Sequence, residues 1–387
     1  MYQIKFLKPV TVNSISNSQA DLRKKSPKLS DSVYEISSTF TISNDLGEQF
    51  FYGKVPITCE LRQYNTSSPT SEYQPVARSQ ADWISGKRAV DVKLQIPSRY
   101  LHKGKFLALH IFVEEDVKVI DDLNTEGITH EELRNDWLPN YKELTVGNCQ
   151  DSLDLSSSKL NLFPSTSSLI EVPTPQTSFP SRSDKQGLRT IKEVILYEEL
   201  SGEIARHLWD AGIIMNSLSK SHILKFFFDT EDERILEKPL QILELGTGIG
   251  LVSIHLSKIF PNANILATDL DDAEEICSLN INLNSAQDRV KFSELDWETS
   301  TETPLQNWDI IITTDCTYNP LYYDVLINVL KRESSSNTKI ILAHKFREPL
   351  SESEIFPKLQ KHFHLSKQIW YNSQGQSLTH IGLYTPK

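Results

Sequence analysis

The sequence predicts an α/β fold in its C-terminal half, preceded by a smaller β-rich N-terminal region and a disordered Ser/Thr/Pro linker. Three patterns lead to this prediction. Apolar and polar residues alternate in the first third, large apolar residues become scarce over residues 146–185, and strand and helix patterns alternate from Leu240 onward. Repeated β-then-α order specifies a parallel sheet packed against helices.

The N-terminal region, residues 1–145, shows the period of two that is typical of strands with one buried face. Three runs carry this period: Tyr34, Ile36, Ser38, Phe40 and Ile42; Val90, Val92, Leu94 and Ile96; and Leu107, Leu109, Ile111 and Val113. Gly, Pro, Ser and Asn separate the runs, which favours short strands joined by turns. The pattern does not indicate a function for this region.

Residues 146–185 are rich in Ser, Thr and Pro, as in Ser156-Ser-Ser-Lys and Pro173-Thr-Pro-Gln-Thr. Few large apolar side chains are available there to offset the entropy lost when a backbone becomes ordered. We therefore expect a flexible linker. Its serines can accept phosphate, but a plain tether is the simpler interpretation.

The C-terminal part, residues 186–387, begins with a predicted hairpin from Thr190 to Gly202, and an apolar helix follows Trp209. The predicted strands are Leu240–Leu245, Asn264–Asp269, Val290–Ser293, Ile310–Thr314, Lys339–His344, Phe363–Trp370 and Thr379–Tyr384. The predicted helices among them are Gly250–Phe260, Ala273–Asn284 and Leu321–Arg332.

Composition narrows the class of protein. A net charge of -11 over 387 residues argues against binding nucleic acid chiefly through phosphates and suits a basic partner. The four cysteines lie far apart without a His at metal-ligand spacing, so neither zinc nor a structural disulfide is expected. The chain has no apolar run of membrane-spanning length and no apolar N-terminal signal segment. We expect a monomer in the cytoplasm, with the nucleus as a further location.

A glycine-rich turn, Glu244-Leu-Gly-Thr-Gly-Ile-Gly250, joins the strand at Leu240–Leu245 to the next helix. Glycines let the backbone approach a ligand where Cβ atoms would obstruct it. A dinucleotide fingerprint would place its third glycine where this chain has Leu251, so the pyrophosphate-binding form is not met. The turn therefore indicates another nucleotide-like ligand; a structural turn without a ligand is the alternative.

Acidic and aromatic side chains follow the next two strands. Asp269 ends its strand 19 residues beyond Gly250, where a carboxylate can accept hydrogen bonds from both ribose hydroxyls. Asp296 and Trp297 follow the third strand; an indole can pack on adenine while the carboxylate accepts from its exocyclic amine. The alternatives are a helix N-cap for Asp269 and a core position for Trp297.

The chain resembles the family 16 seven-β-strand methyltransferases, over about residues 191–383, in six motifs: Trp209-Asp-Ala, Glu244-Leu-Gly-Thr-Gly, Thr268-Asp-Leu, Asn280-Ile-Asn-Leu-Asn, Leu295-Asp-Trp and Asp315-x-x-Tyr. That group is dominated by protein-lysine methyltransferases, including fungal enzymes that modify translation elongation factors. The resemblance implies a Rossmann-like seven-stranded class I sheet, S-adenosyl-L-methionine as methyl donor and a lysine of a protein substrate as acceptor.

Carried over by position, the resemblance also implies roles for single residues. Asp315 and Tyr318 are implied to face the acceptor nitrogen, and a packing ring is the alternative for Tyr318. Under these roles, Asp315→Ala would abolish transfer and spare cofactor binding. The implied cofactor contacts are Trp209, Glu244, Gly246, Thr247, Gly248, Asp269, Leu270, Asp296, Trp297 and Thr314.

Three other interpretations stay open. Asn319-Pro-Leu-Tyr322 resembles the Asn-Pro-Pro-Tyr loop of methyltransferases that act on glutamine amides or base amines, although Asp315 rather than an asparagine takes the strand exit. The second is a non-catalytic interaction protein that keeps the fold. The third makes Cys316 a nucleophile, although no His or second Cys stands in a recognisable relation to it.

Overall fold

The computed structural model describes residues 2–15, 33–43, 53–65, 72–84, 86–97, 105–114, 120–121, 152–154, 162–163, 165–166, 170–171, 186–191, 193–199, 203–299, 307–347, 349–372 and 378–387. The chain divides into two compact units. The first contains Met1–Asn124, Lys159–Thr190 and Tyr197–Ser201; the second contains Thr125–Ser158, Ile191–Leu196 and Gly202–Lys387. The predicted linker, residues 146–185, falls mostly outside the described residues, so that domain division stays a prediction.

Strands dominate the described part of the chain up to residue 199. In order they are β1 Tyr2–Ile15, β2 Val33–Ser43, β3 Gly53–Tyr64, β4 Tyr73–Trp83, β5 Val90–Pro97, β6 Phe106–Phe112, β7 Ile120–Asp121, β8 Ser152–Asp154, β9 Leu162–Phe163, β10 Ser165–Thr166, β11 Ile170–Glu171, β12 Gln186–Ile191 and β13 Val194–Glu199. The three alternating runs fall in β2, β5 and β6, which confirms the β-rich prediction.

Two sheets run through this part of the chain. One has the strand order β5-β2-β1-β9 and the other the order β13-β12-β10-β6-β3-β4. In β5 every second residue from Val90 to Ile96 is buried, as expected for a strand with one face on a core. Side chains from both sheets, including Phe40, Ile57 and Leu109, share one apolar cluster.

The second unit alternates strands and helices. Its further strands are β14 Gln241–Leu245, β15 Asn264–Asp269, β16 Val290–Glu294, β17 Ile310–Thr314, β18 Lys339–Phe346, β19 Phe363–Asn372 and β20 Leu378–Pro386. Its α-helices are α1 Asp210–Ser217, α2 Lys220–Phe228, α3 Leu251–Ile259, α4 Glu274–Leu283, α5 Tyr323–Glu333, α6 Pro349–Glu352 and α7 Ile355–Gln360. Short 3₁₀ helices span Ile204–Arg206, Glu233–Glu237, Asp271–Ala273 and Pro320–Tyr322.

The sheet of the second unit has the order β16-β15-β14-β17-β18-β20-β19-β8. Strands β14 to β18 pair in parallel, and β20 runs antiparallel to both β18 and β19. The predicted Rossmann-like seven-stranded sheet is confirmed, and β8 adds a further strand parallel to β19. The strand order reverses between β14 and β17, where open α/β sheets bind ligands at the carboxyl ends of their strands.

Burial explains why these segments form a sheet and helices. Four of the five residues are buried in β14 and also in β17, as expected for parallel strands covered on both faces. On α5 the buried residues include Tyr323, Leu326, Ile327 and Leu330, whose spacing gives the helix one apolar face. That face shares an apolar cluster with Ile311 of β17.

Membrane spans, metal-binding groups and cysteines can be assessed for the described residues alone. No helix among them is long and apolar enough to cross a membrane. Within the same ranges, no group of three or more His, Cys, Asp or Glu residues can hold a metal ion. Cys59, Cys277 and Cys316 are free thiols, and Cys149 lies outside the described residues.

Candidate active site

The glycine turn leaves β14 at the carboxyl edge of the sheet, and its conformation requires glycine. Gly246, Gly248 and Gly250 have φ angles of 68°, 52° and 87°, in the left-handed region that side chains disfavour. A Cβ atom on Gly246 would collide with the Cys316 sulfur, and one on Gly248 would lie 3.1 Å from the Ala205 carbonyl oxygen. The missing Cβ atoms therefore leave room for Cys316 and for the Ala205 carbonyl beside the turn.

Glu244 is buried inside this turn. Its Oε2 accepts hydrogen bonds from the Thr247 hydroxyl at 2.7 Å, from the Ser253 N–H at 3.0 Å and from the Ser253 hydroxyl. Burial raises the pKa of Glu244 to about 7. Thr247 is buried too, and its N–H donates to the Thr268 carbonyl at 2.9 Å. Glu244 and Thr247, both predicted cofactor contacts, therefore stabilise the turn through these hydrogen bonds.

Asp269 ends β15 beside the turn. Its Oδ2 accepts from the Gly248 N–H at 2.7 Å, and its Oδ1 accepts from the Leu270 N–H at 2.8 Å. Burial raises the pKa of Asp269. Each carboxylate oxygen has a second lone pair, so this half-buried side chain can still accept from two hydroxyls of a ligand. The neighbouring Leu270 side chain is 49% exposed and offers an apolar surface there.

Asp296 and Trp297 follow β16 and differ in what they contact. Asp296 accepts from the Glu298 N–H at 2.9 Å and from the Thr299 hydroxyl at 2.8 Å, which lowers the pKa of Asp296. Its two oxygens thus bind its own turn, and the adenine-amine role stays a prediction. The Trp297 ring would lie 3.7 Å from a Cβ atom on Gly246, so it borders the glycine turn.

A 3₁₀ helix at Ile204–Arg206 also borders the site, although the sequence did not single it out. Arg206 donates to the Asp272 carbonyl at 2.8 Å and pairs with Glu275 at 3.2 Å. The Trp209 indole N–H donates to the Ile204 carbonyl at 3.0 Å. These contacts fasten the segment before α1 to the loop after β15 and fix the predicted cofactor residue Trp209.

Asp315 follows β17 and is buried, with a φ angle of 58°. Its Oδ2 accepts from the Ala211 N–H at 2.8 Å; its Oδ1 accepts from the Lys345 N–H at 3.1 Å and from Arg347 Nη1 at 3.2 Å. The carboxylate therefore already holds three protein donors, and Oδ2 keeps one further acceptor position. The predicted role at the acceptor nitrogen remains a prediction.

The predicted site residues Thr314 and Tyr318 flank this turn. Thr314 is half-buried, and its hydroxyl would lie 3.7 Å from a Cβ atom on Gly212 in α1. Tyr318 is 46% exposed; partial burial raises its pKa, the charges of Tyr322 and Asp269 add to the rise, and Arg347 opposes it.

Buried polar residues at the end of β18 stabilise the acceptor side of the site through hydrogen bonds, and none of them was predicted from the sequence. Lys345 pairs with Asp210 at 2.8 Å, and both are buried. His344 Nδ1 shares a hydrogen bond of 2.7 Å with the Thr317 hydroxyl, and its Nε2 lies 3.4 Å from Glu352. The missed signal was a His-Lys-Phe-Arg run at the end of an otherwise apolar strand.

Arg347 connects the acceptor side to the cofactor side. Its guanidinium carbon lies 5.3 Å from the centre of the Trp209 ring, within the range of a cation–π contact. Its backbone N–H donates to Glu352 at 2.7 Å, while its Nη1 holds Asp315. One side chain thus contacts both the predicted cofactor residue Trp209 and the predicted acceptor residue Asp315.

Two alternative readings of this turn lose support. The Cys316 thiol points to the Leu245 carbonyl at 3.4 Å, and burial raises its pKa to about 12, so it is no activated nucleophile. The Asn319 side chain accepts from the Leu321 N–H at 3.1 Å and caps the 3₁₀ helix at Pro320–Tyr322. The Asn319 side-chain oxygen therefore stabilises its own loop.

Comparison with known proteins is informative for the second unit. Residues 189–362 match the model of a family described as lysine methyltransferase. Protein N-lysine methyltransferase METTL21A of Danio rerio is 27% identical over 44% of this chain and 73% of its own length. EEF1A lysine methyltransferase 3 of Xenopus tropicalis is 24% identical over 45% of this chain and 72% of its own length.

One relative matches most of the chain. A UPF0665 family protein of Schizosaccharomyces pombe is 26% identical over 326 residues, covering 83% of this chain and 86% of its own length. That match extends well beyond residues 189–362. Among solved structures, a TehB-like SAM-dependent methyltransferase from Corynebacterium glutamicum is 14% identical over 40% of this chain and 87% of its own, with a TM-score of 0.31.

Proposed function

We propose that the protein transfers methyl groups from S-adenosyl-L-methionine to a lysine of another protein, because residues 189–362 match the model of a family described as lysine methyltransferase. One observation carries the proposal. The glycine turn and the turn after β17 meet at the carboxyl edge where the strand order reverses, so close that a Cβ atom on Gly246 would collide with Cys316. A donor site and an acceptor site are thereby adjacent.

The residues at the donor side fit S-adenosylmethionine. The left-handed backbone at Gly246 and Gly248 makes a tight turn beside Asp269, and Asp269 can accept from two ribose hydroxyls. The exposed Leu270 side chain and the Trp297 ring offer apolar surfaces for an adenine. Trp209, on the remaining side, lies beside the cation Arg347.

The chemistry asks the protein to position groups more than to move protons. When bound, the cofactor supplies an electrophilic sulfonium methyl group. The chain must hold a neutral amine in line with that group and keep water out. Desolvation lowers the pKa of a lysine amine that leaves water beside the partly exposed Tyr318. Asp315 Oδ2 can then orient the amine through its remaining acceptor position.

The substrate class follows from the relatives and from charge. Two of the relatives are named as lysine methyltransferases, and one of these two is named for EEF1A, so a translation elongation factor is our leading candidate. The net charge of -11 suits a basic protein as substrate.

Labelled S-adenosylmethionine tests the proposal. We expect the purified protein, incubated with an extract of cells that lack it, to label a discrete protein band, and acid hydrolysis of that band to yield methyl-lysine. Label released as methylamine on acid hydrolysis, as a methylated glutamine amide would release it, or label in RNA would support the amide or nucleic-acid alternative. Cofactor binding without any transfer would contradict the proposed enzyme and favour an interaction protein.

A further inference from the structure

The loop from Tyr318 to Tyr322 displays more apolar surface than its surroundings. Nine large apolar or aromatic side chains are exposed among the described residues, and three of them lie in this loop. Leu321 is 84% exposed, Tyr318 46% and Tyr322 43%. Scattered exposed apolar residues are ordinary, but a cluster at a site's edge indicates a surface that a partner covers.

This loop is held in place. The Asn319 side chain accepts from the Leu321 N–H at 3.1 Å, and the Tyr322 N–H donates to the Asn319 carbonyl at 3.1 Å. Directly after the loop, the buried Tyr323 donates its hydroxyl to the Thr317 carbonyl at 3.0 Å. The Leu321 side chain is thus presented to solvent by a fixed backbone, which lowers the entropy lost on binding.

The loop is continuous with the acceptor side of the site. Tyr318 belongs to both, and consecutive Cα atoms lie about 3.8 Å apart, so Leu321 is within about 11 Å of Tyr318. An extended peptide covers that distance in about three residues. A residue close to the target lysine in the bound substrate is therefore within reach of Leu321.

We propose that Tyr318, Leu321 and Tyr322 form a docking surface for the substrate protein, in which Leu321 contacts a large apolar side chain located within about 11 Å of the target lysine. This docking surface rests on the proposed function and adds to it a basis on which the enzyme selects its target lysine. Asp315 and Tyr318 serve any amine, whereas Leu321 distinguishes lysines by their apolar neighbours.

The experiment compares full-length wild type with Leu321→Asp and Leu321→Ala, using labelled S-adenosylmethionine and a dilution series of extract from cells that lack the protein. Leu279→Asp is the matched control, because Leu279 is 41% exposed on α4 of the same unit. We expect Leu321→Asp to require about tenfold more extract than wild type for half-maximal labelling, because the apolar contact is lost. Leu321→Ala should require a smaller increase. Leu279→Asp should follow wild type.

Cofactor titration, light scattering and mapping of the labelled lysine complete the test. Unchanged cofactor affinity in Leu321→Asp, with an apolar side chain near the mapped lysine, would support docking. Equal extract dependence in Leu321→Asp and Leu279→Asp, a loss of cofactor affinity, or a wild-type dimer that only Leu321→Asp disrupts would overturn it. If wild type labels no lysine at all, the proposed function itself fails and this inference falls with it.

Discussion

Asp315 occupies a left-handed backbone position and holds three protein donors, so its side chain fixes the turn after β17 whatever else it does. This changes the expectation for Asp315→Ala. The substitution would leave the buried Ala211 and Lys345 N–H groups without their acceptor, at about 1–3 kcal/mol each. Ala211 follows Trp209 closely, so we now expect cofactor affinity to fall together with transfer.

Arg347 allows the role of Asp315 to be measured without deleting it. Arg347→Met would leave the Asp315 carboxylate buried beside only backbone donors, so the free energy of unfolding should fall by about 3 kcal/mol. A double-mutant cycle with Asp315→Asn should give a coupling energy above about 1 kcal/mol in chemical denaturation. Cofactor affinity should also fall in Arg347→Met, because Trp209 loses its cation. Strictly additive effects would contradict the connection between the two residues.

Glu244 gives the unfolding free energy a specific pH dependence. Burial raises its pKa from 4.5 to about 7, so between these pH values the folded chain holds the proton more tightly than the unfolded chain. The protonated Glu244 therefore makes its full contribution to the free energy of unfolding below pH 4.5, and this contribution is lost as the pH rises towards 7. Glu244→Gln cannot ionise and keeps an acceptor for Ser253.

The measurement is the difference in unfolding free energy between Glu244→Gln and wild type as a function of pH. As the pH rises from 4.5 to about 7, the free energy of unfolding of Glu244→Gln should increase by about 3 kcal/mol relative to that of wild type, since one pKa unit corresponds to about 1.4 kcal/mol. Parallel curves for the two proteins would show that Glu244 does not titrate as its burial requires.

Some residues of the site could be predicted from the sequence and others could not. Asp269, Trp297 and Asp315 could be named in advance because each follows a strand, and strand ends meet at one edge of a parallel sheet. Asp210 and Lys345 could not, because the two are 135 positions apart in the chain and pair only in the fold. Nor could the sequence show that the Asp296 oxygens bind their own turn.

At the level of elements, prediction succeeded where burial imposes a period. Each strand and helix predicted from Leu240 onward ends within two residues of the observed element. β4 was missed because it lies at a sheet edge with mostly exposed residues, which leaves little apolar alternation to detect. β8 was missed because three residues are too short for any period, and only pairing with β19 makes them a strand.

The 3₁₀ helix at Ile204–Arg206 is an element whose contribution can be tested. Arg206→Ala removes the hydrogen bond to the Asp272 carbonyl and frees the segment beside Gly248, so cofactor affinity should fall about tenfold. Glu275→Ala is the control, because Glu275 is an exposed partner whose ion pair contributes little. Isothermal titration should separate the two variants. Equal losses would show that the ion pair, rather than the main-chain contact, holds the segment.

At the level of the whole molecule, the period of the apolar residues predicted a β-rich part before an α/β part, because strands and helices space their buried residues differently. The function of the first unit was not predictable, since its alternating pattern reports burial alone. The fission yeast relative nevertheless matches 83% of the chain, so that protein shares more with this one than the methyltransferase segment.

The net charge of -11 gives the whole molecule a measurable property if its substrate is basic. Attraction between an acidic enzyme and a basic protein raises the association rate and is screened by salt. Raising the ionic strength from about 0.1 M to about 1 M shortens the Debye length from about 10 Å to about 3 Å. We therefore expect kcat/KM for the labelled protein to fall several-fold through KM, while kcat changes little.

Sucrose at matched osmolality is the control, because it leaves the Debye length unchanged. Docking through Leu321 depends on apolar contact, which salt does not weaken, so the uncharged variant Leu321→Ala and salt should reduce kcat/KM independently and their effects should multiply. A rate that is unaffected or raised by salt would mean that apolar contact dominates recognition. The acidic surface would then serve solubility, and the basic-partner prediction would be wrong.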